Sequence, residues 1–401
     1  MKEKNLSEKK DAATPIRAEA YAALPDDERT AYRPVDARYN RLPLLSWILY
    51  AVSAVCLVLY LVMLASPAFS DFFNRYISTP IRTLLSTVTS VVPFSLAECL
   101  LLLLPLILTL ILIYAVRHRC DTWRQTGICV LIILSVVALI FSLFVTNFAA
   151  GYRGTTLDKK LGMTRADVSA EELYETALIL VECINEDRES IGYATDDFSV
   201  MPYTVSEMND KLCDAYASFC AKDGHEFITH TDTRIKPVMN SELMSYMHIT
   251  GVYAFFTGEA NLNVVFPDYT LPYTAAHEMA HQRGIAREDE ANFMAYLVCM
   301  ESDDPYIRYS AHLNMYEYVA SALYKASPVL YSDVVSRLDL DVRYELAAYG
   351  EFFDKYRDST ASQISGAVND TFLQSQGTPG TKSYGMVVDL AVAYYRPVFE
   401  K

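Results

Sequence analysis

The sequence has no pair of cysteines at CxxC spacing and only seven histidines in 401 residues. The missing cysteine pairs exclude the thiolate zinc sites that this spacing builds. Basic charge is also scarce in the rear of the chain, where residues 153–401 carry 20 lysines and arginines against 38 acidic residues. A domain with this charge balance repels a polyanion, so we expect no nucleic acid partner.

Charge is nearly absent from three long apolar runs in the front part of the chain. Each run is long enough to cross roughly 30 Å of hydrocarbon as a helix. The first run begins too late for a cleaved signal peptide, is too long, and lacks a small-residue cleavage site. We therefore predict three transmembrane helices in a lipid bilayer, at residues 44–65, 94–116 and 128–148.

Basic residues beside these runs predict the orientation of the protein in the membrane. Nine lie before the first run, and the short connection RHRCDTWRQ adds Arg117, Arg119 and Arg124. The connection between the first two runs holds only Arg75 and Arg82. Because positively charged connections stay in the cytoplasm, we expect a multi-pass cell-membrane protein with its C-terminal domain outside the cytoplasm.

These features divide the chain into three parts. Residues 1–43 mix charges with four prolines and are predicted to be a flexible cytoplasmic tail. Residues 44–150 hold the three transmembrane helices, and residues 151–401 form the extracytoplasmic domain. We predict that this domain is mainly α, with a small β-hairpin or sheet at residues 251–267, where β-branched and aromatic residues favour paired strands.

Two further local predictions concern the rear domain. The stretch SEMNDKLCDAYASFCAKDG predicts a helix with Ser206 as its N-cap and Gly224 beyond its end. Cys213 and Cys220, seven residues apart on this helix, are too distant to bridge one another. The four cysteines of the domain otherwise permit three pairings, which the sequence leaves open: Cys183, Cys213, Cys220 and Cys299.

The stretch LPYTAAHEMAHQRG contains residues typical of the two ends of a helix and, between them, two histidines four residues apart. Pro272 suits the first turn of a helix, and Gly284 suits the left-handed position that ends one. The spacing places His277 and His281 on one face, where two neutral imidazoles can hold one zinc ion. The adjacent Glu278 can take a proton from water, so HExxH predicts metal-assisted hydrolysis.

A catalytic zinc ion needs a third protein ligand and one open position. The sixth residue after the second histidine is Arg287, which cannot bind a cation, and the acidic run EDEAN follows it. Glu288 has Asn292 four residues later, where an amide can orient a zinc-bound histidine. Glu290 has Met294 in the corresponding place. We predict Glu288 as the third ligand, with Glu290 as the alternative. We predict that Asn292 orients one of the zinc-bound histidines.

Two candidates lie outside the HExxH stretch. Tyr384, in TKSYGMV, can donate a hydrogen bond to the oxyanion of a tetrahedral intermediate, which would make it a second catalytic residue, or it can serve packing alone. The strands predicted at residues 251–267 can hold a peptide by main-chain pairing, or they can form an ordinary core hairpin. Arg287 can stabilise an oxyanion or pair with the acids beside it.

Several segments together resemble a bacterial family of membrane-anchored HExxH proteins of unassigned function. They are PFSLAE, FTGEANLN, LPYTAAHEMAHQRGIAREDEANFMAYL, RYSAHLN and VNDTFLQSQGTPGTKSYGMVVDL. More distantly, HEMAH with EDEANFMAYL is similar to glutamate-type zincin peptidases. The resemblance implies a zincin-like, zinc metallopeptidase-like outer domain, and it implies no substrate.

From the motif and the resemblance we expect a membrane-anchored zinc metalloendopeptidase that hydrolyses peptide bonds outside the cytoplasm. Zn²⁺ is the expected cofactor, and a protein or peptide is the expected substrate. The alternative is a non-catalytic membrane sensor or scaffold in which a structural zinc site holds the domain together. A regulatory protease acting on one neighbouring membrane protein would share the first chemistry.

Overall fold

A computed structural model describes residues 13–118, 122–193 and 198–399. The chain is mainly helical with small sheets, as the sequence predicts. It divides into two compact units, which we call the front and rear units. The front unit comprises Met1–Leu59 and Cys99–Leu143, and the rear unit comprises Tyr60–Glu98 and Phe144–Lys401.

The front unit begins with a small two-stranded sheet. Strands β1 (Thr14–Arg17) and β2 (Tyr32–Val35) pair in parallel, and helix α1 (Ala18–Ala22) lies between them in the chain. This sheet lies within the predicted tail, and each of its strands satisfies backbone groups of the other. Residues 1–12 of the predicted tail lie outside the described residues.

Three helices are long and apolar enough to cross a membrane. They are α2 (Leu44–Ala65), α5 (Leu96–His118) and α6 (Trp123–Phe144), and α6 continues through a π-helical turn (Val145–Ala149) into α7 (Ala150–Arg153). All three predicted spans are therefore helical. Between α2 and α5 lie α3 (Pro67–Phe73), a second π-helical turn (Asn74–Ser78) and α4 (Thr79–Ser90).

The rear unit is an α-helical assembly around one three-stranded sheet. Strand β5 (Glu259–Leu262) is central, with β3 (Lys236–Pro237) parallel on one side and β4 (Gly251–Ala254) antiparallel on the other. The remaining helices are α8 (Leu157–Lys160), α9 (Ala170–Arg188), α10 (Val205–Cys220), α11 (Ser241–Tyr246), α12 (Leu271–Gln282), α13 (Glu288–Cys299), α14 (Pro305–Ala326), α15 (Pro328–Arg337), α16 (Leu340–Asp354), α17 (Thr360–Ser375) and α18 (Val387–Phe399).

Strands β4 and β5 form the hairpin that the sequence predicts. Gly251 lies opposite Leu262, and Ala254 lies opposite Glu259. Gly258 has a φ of +72° at the tight connection before β5, a conformation that glycine adopts without steric cost. The hairpin leaves β4 at the edge of its sheet, with one side free of strand partners among the described residues.

Helices α12 and α13 lie at the centre of the rear unit, and every residue of both is buried. Helix α14 packs against both of them, and α9 packs along α14. Side chains this deeply buried include apolar residues such as Ala276, Met279 and Phe293, and also charged ones such as Glu278 and Glu288. Because a buried charge is costly without a partner, the charged residues of α12 and α13 call for a specific chemical explanation.

Helix α10 corrects one local prediction. Its N-cap is Thr204 and not Ser206, because the Thr204 hydroxyl accepts from the Glu207 N–H while the Glu207 carboxylate accepts from the Thr204 N–H. This reciprocal pair is a capping box, for which the sequence TVSE has the required spacing. The four cysteines of the rear domain are all free thiols: Cys183, Cys213, Cys220 and Cys299.

The segment between α2 and α5 packs against the part of the chain that follows α6. The Asn74 amide donates to the Gly284 carbonyl oxygen at 3.2 Å, and the Arg82 guanidinium donates to the Asn147 carbonyl oxygen at 2.6 Å. These two parts of the chain therefore lie on one side of any membrane that the apolar helices cross. If each of the three apolar helices crosses a membrane once, the chain after the first helix and the chain after the third helix lie on the same side, as this condition requires.

The turn between α12 and α13 is enclosed by the same contacts. Gly284 has a φ of +96°, and a Cβ atom at this position would lie 2.3 Å from Arg82 Nη2. On another side, a Cβ atom at Gly151 would lie 2.6 Å from the Gly284 carbonyl oxygen. Glycine at both positions allows the backbone of the turn to approach helices α4 and α7 this closely.

We expect Gly284→Ala to lower the free energy of unfolding more than Gly224→Ala does. Gly224 also has a positive φ, +87°, but open space surrounds its α-carbon. Left-handed strain costs about 1 kcal/mol at either position, and the collision with Arg82 adds about 1–3 kcal/mol at Gly284 alone. Unfolding of both full-length variants in detergent measures the difference. Equal losses would contradict the enclosed turn.

Candidate metal centre

Helix α12 presents the two histidines of the HExxH motif on one face. Pro272 lies in its first turn, and the helix ends at Gln282, before the positive-φ Gly284. The rings of His277 and His281 are 4.6 Å apart between centroids and nearly perpendicular, at 89°. The predicted helix and its two boundary signals are therefore present, and they direct both imidazoles to the same place.

Glu288, the first residue of α13, brings its carboxylate to both imidazoles. Its Oε2 atom lies 3.3 Å from Nε2 of His277 and 3.3 Å from Nε2 of His281. The three potential ligand atoms lie within 4.8 Å of one another, and all three side chains are buried. Two imidazole nitrogens and one carboxylate oxygen are a ligand set that zinc takes in catalytic sites.

The atoms of the cluster fit a cation. Glu288 Oε2 is buried and makes no hydrogen bond within the described residues, so it is free to bind a metal ion. Burial raises the pKa of this carboxyl, but His281 and His277 outweigh burial and hold that pKa well below its usual range. The carboxyl is therefore ionised, as a metal ligand must be.

The two imidazoles differ in their protonation. Burial lowers the pKa of both, and in His277 the neighbouring His281 lowers it further. In His281 the Glu288 carboxylate outweighs burial and raises the pKa to about 9. The acid thus attracts positive charge into the cluster, and the charge can be supplied by a proton or by a metal ion.

Glu290, the alternative third ligand, points away from the histidines. Its Oε1 atom accepts hydrogen bonds from the Leu157 N–H at 3.1 Å and from Arg287 Nη1 at 3.0 Å. Arg287 also donates to the Tyr152 carbonyl oxygen at 2.9 Å. Of the two options for this arginine, the contacts therefore match pairing with the adjacent acids.

A backbone carbonyl group orients His281. Its Nδ1 atom lies 2.7 Å from the Ile285 carbonyl oxygen, so this nitrogen donates its hydrogen and Nε2 is the nitrogen whose proton a metal ion would replace. His277 Nδ1 makes no hydrogen bond within the described residues, and the Asn292 amide donates to Tyr318 Oη at 3.3 Å. The orienting role of Asn292 therefore stays a prediction, and sequence reasoning missed the Ile285 carbonyl because a backbone acceptor does not depend on residue type.

Glu278 lies where α12 meets strand β4. A Cβ atom at Gly251 would lie 2.7 Å from the Glu278 side chain, so glycine at this position makes room for the acid. Burial raises the pKa of Glu278 to about 8, although the charge on His281 and a hydrogen bond from the Tyr253 N–H act against burial. Glu278 Oε2 makes no hydrogen bond within the described residues, which leaves this atom free to exchange a proton.

A cavity of about 1550 Å³ opens in front of these residues. The side chains of His277, His281, Glu288 and Glu278 line it together with residues 250–253 at the edge strand and several aromatic side chains. A volume of this size is larger than most small-molecule sites. It can hold an extended peptide.

Tyr384 lies in the wall of the cavity, within a 3₁₀-helical segment (Gly380–Met386). Its hydroxyl oxygen is 3.5 Å from Asn369 Nδ2, from which it accepts. Burial and the charges of Glu288 and Glu278 raise the pKa of its hydroxyl well above the ordinary value. The hydroxyl therefore stays protonated and can act as a hydrogen-bond donor.

Two cavity residues escaped sequence reasoning. Glu317 of α14 lines the cavity, and burial raises the pKa of its carboxyl to about 7, with a further contribution from Glu345. A single acid among the apolar residues of MYEYVASAL is the signal that would have identified it. Phe148, at the end of the third span, packs its ring 5.7 Å from that of His281, and no sequence signal connects these two residues.

Comparison with known proteins assigns a family and no activity. A family model described as "Protein of unknown function (DUF3810)" matches residues 73–392, so the chain belongs to this family. The predicted membership of an uncharacterised family is thereby confirmed. No curated protein and no solved structure matches the chain significantly.

We expect Glu288→Gln to lose zinc and Glu290→Gln to keep it. Both acids are buried in the first turn of α13, but only Glu288 faces the histidines. Losing a ligand should weaken zinc binding by more than the about 10–100-fold that an outer partner contributes. Metal analysis of the purified full-length variants after dialysis against zinc-buffered solution measures this. Loss of zinc from Glu290→Gln alone would make Glu290 the third ligand.

Proposed function

We propose that this family member is a membrane-anchored zinc metallopeptidase. The observation that carries the proposal is the convergence of His277, His281 and Glu288 beside the buried acid Glu278 in a large cavity. The resemblance of HEMAH and EDEANFMAYL to glutamate-type zincins supports the same chemistry. Under this proposal, His277, His281 and Glu288 hold the metal ion.

Held by these three residues, a zinc ion would supply a Lewis acid that polarises the scissile carbonyl group and acidifies water. Glu278 takes a proton from the attacking water as the carbon–oxygen bond forms. It then gives this proton to the amide nitrogen as the carbon–nitrogen bond breaks, so that water and peptide become a carboxylate and an amine. A pKa raised by burial to about 8 suits a group that both accepts and donates a proton near neutral pH.

Strand β4 is placed to hold the substrate. It is the edge strand of its sheet, and Gly251 and Tyr253 bring its backbone next to Glu278. A peptide that pairs with this edge in the cavity would present successive peptide groups to the catalytic acid. Tyr384, protonated and in the same cavity, is our candidate donor to the oxyanion of the tetrahedral intermediate.

The form of the site favours catalysis over a structural role for the metal. A structural zinc site is normally closed by four protein ligands, and here three groups converge at the wall of a large cavity. A structural role would also leave unexplained why Glu278, buried and without a hydrogen bond on Oε2, lies beside the cluster. A non-catalytic sensor or scaffold remains the alternative function, and the experiment below distinguishes it from a peptidase.

We expect Glu278→Gln to abolish peptide hydrolysis and to retain zinc. The amide cannot accept the proton of the attacking water, so the rate should fall by at least about 10²–10⁴-fold. Wild type and variant are compared at full length on a library of quenched fluorescent peptides, with zinc content measured on the same samples. Glu182→Gln, an exposed change on α9, is the control and should match wild type.

Equal hydrolysis by wild type and Glu278→Gln would overturn the mechanism. The sensor or scaffold alternative predicts a different pair of results: no hydrolysis by either protein, and unfolding of His277→Ala through loss of its zinc. The retained fold and lost activity of Glu278→Gln therefore separate the two functions.

We further propose that the rear unit lies outside the cytoplasm, on the basis of the basic residues that flank the three spans. A C-terminal fusion to alkaline phosphatase should then be enzymatically active, because its disulfides form only outside the cytoplasm. A C-terminal fusion to green fluorescent protein, exported through the same route, should be dark. An inactive phosphatase fusion with a fluorescent second fusion would reverse the orientation.

A further inference from the structure

The helical segment of residues 67–91, between the first two spans, buries its polar side chains. Five of them recur at a spacing of four and are at most 9% exposed: Ser70, Asn74, Ser78, Arg82 and Ser86. The π-helical turn at Asn74–Ser78 contains more residues per turn than an α-helix, which helps to keep this spacing on one face. A soluble protein would bury the opposite kind of face.

The other face of the segment exposes large apolar side chains. They are 53–82% exposed: Phe72, Tyr76, Leu84, Val88 and Val91. Within residues 67–91, all of which the structure describes, Arg75 is the one charged residue on the exposed face. Leaving such side chains in water forfeits about 1.5–3 kcal/mol each, and a contiguous apolar patch of this kind marks a contact surface.

Residues of the rear unit that follow the third span contact the polar face at both of its ends. Near the start of the segment, Asp71 accepts from the Thr155 hydroxyl at 2.6 Å and pairs with Lys160 at 3.2 Å. Near its end, Lys236 donates to the Thr89 carbonyl oxygen at 2.9 Å. Both ends therefore contact charged residues of one unit, which excludes a segment that crosses the hydrocarbon from one surface to the other.

The position of the segment in the chain identifies what covers its apolar face. Helix α2 ends at Ala65, just before it, and α5 begins at Leu96, just after it. Both are long and apolar enough to cross the membrane, so the segment starts and ends at the same bilayer surface. An amphipathic helix at that surface places its apolar face among the lipid acyl chains and its polar face away from them.

We propose that residues 67–91 form a membrane-embedded helix that lies in the plane of the bilayer, with lipid against Phe72, Tyr76, Leu84, Val88 and Val91. Arg75, on the exposed face, extends along the surface to the lipid headgroups, as arginine does at such interfaces. The proposal concerns a fourth membrane contact in addition to the three spans, and it stands whether or not the metal centre is catalytic.

This arrangement places the metal centre at the membrane surface. Asn74 and Arg82 of the segment contact the turn at Gly284, and Phe148 at the end of the third span contacts His281. The helix from Trp123 to Arg153 has 31 residues, and about 20 residues cross the hydrocarbon. The helix is therefore longer than the hydrocarbon is thick, and its C-terminal end, at Phe148, is the part that contacts the cluster.

Tryptophan quenching by brominated lipids tests the proposal in the full-length protein. The chain has two tryptophans, and Trp47→Phe with Trp123→Phe removes their signal. Leu84→Trp and Val88→Trp are then reconstituted into vesicles whose lipids carry bromine either just below the headgroups or near the bilayer centre. We expect both variants to lose most of their fluorescence with the shallow bromines and clearly less with the deep ones.

Val329→Trp is the matched control. Val329 is 79% exposed at the start of α15, on the side of the rear unit formed with α9 and α14, and it should not be quenched by either lipid. Quenching of Leu84→Trp and Val88→Trp no greater than that of Val329→Trp would overturn the proposal, since water, a protein partner or a second copy would then cover the face. Stronger quenching by the deep bromines would overturn the in-plane orientation.

The quenching measurement can also be made without the double tryptophan replacement. If the double tryptophan replacement prevents folding, the same variants are measured in the native background, and the emission of the native protein is subtracted in each lipid. The three outcomes keep their meaning, because the two native tryptophans contribute equally to every variant.

Discussion

The contact of one carboxylate with two imidazoles is the interaction on which the rest of this protein depends. Glu288 Oε2 lies 3.3 Å from both histidine nitrogens, and the three groups belong to two helices joined by a five-residue turn. If that turn opened, the two histidines would remain neighbours on α12, but the acid would leave them. The geometry of the candidate metal centre therefore depends on the turn as much as on the HExxH motif.

The turn has support from parts of the chain far from it in sequence. Gly284 is enclosed by Arg82 and Asn74 on one side and by Gly151 on another. The carbonyl of Ile285, one residue further, holds the His281 ring in the tautomer that binds metal. Helices α4 and α7 thus contact the turn whose Ile285 carbonyl orients His281, and the segment between the first two spans supports the candidate site.

The proposed membrane contact would place the candidate site at the bilayer surface. The segment between the first two spans buries one polar face against the rest of the rear unit and exposes an apolar face, which we propose contacts lipid. A catalytic centre held at that surface would meet polypeptides anchored in the same bilayer more often than soluble ones, because both are confined to two dimensions. The large cavity and the edge strand beside Glu278 provide room for an extended chain there.

The sequence alone determined the features that arise from local order. The three apolar helices follow from the length of uninterrupted apolar runs, the HExxH helix from Pro272, Gly284 and the spacing of four, and the hairpin from its aromatic and β-branched residues. Each of these features depends on residues close together in the sequence, so hydrophobic periodicity and helix boundary residues predict it. Where two local signals competed, as with Thr204 and Ser206 at the start of α10, sequence reasoning chose the wrong one.

Only the tertiary structure decided between residues that are locally equivalent. Glu288 and Glu290 lie two positions apart in one acidic run, and Glu290 is directed elsewhere by Leu157 and Arg287. The roles of Gly251 beside Glu278, of Phe148 beside His281 and of Arg82 beneath Gly284 join residues between about thirty and two hundred positions apart. Such contacts arise from close packing of the whole fold, and no periodicity in a single sequence records them.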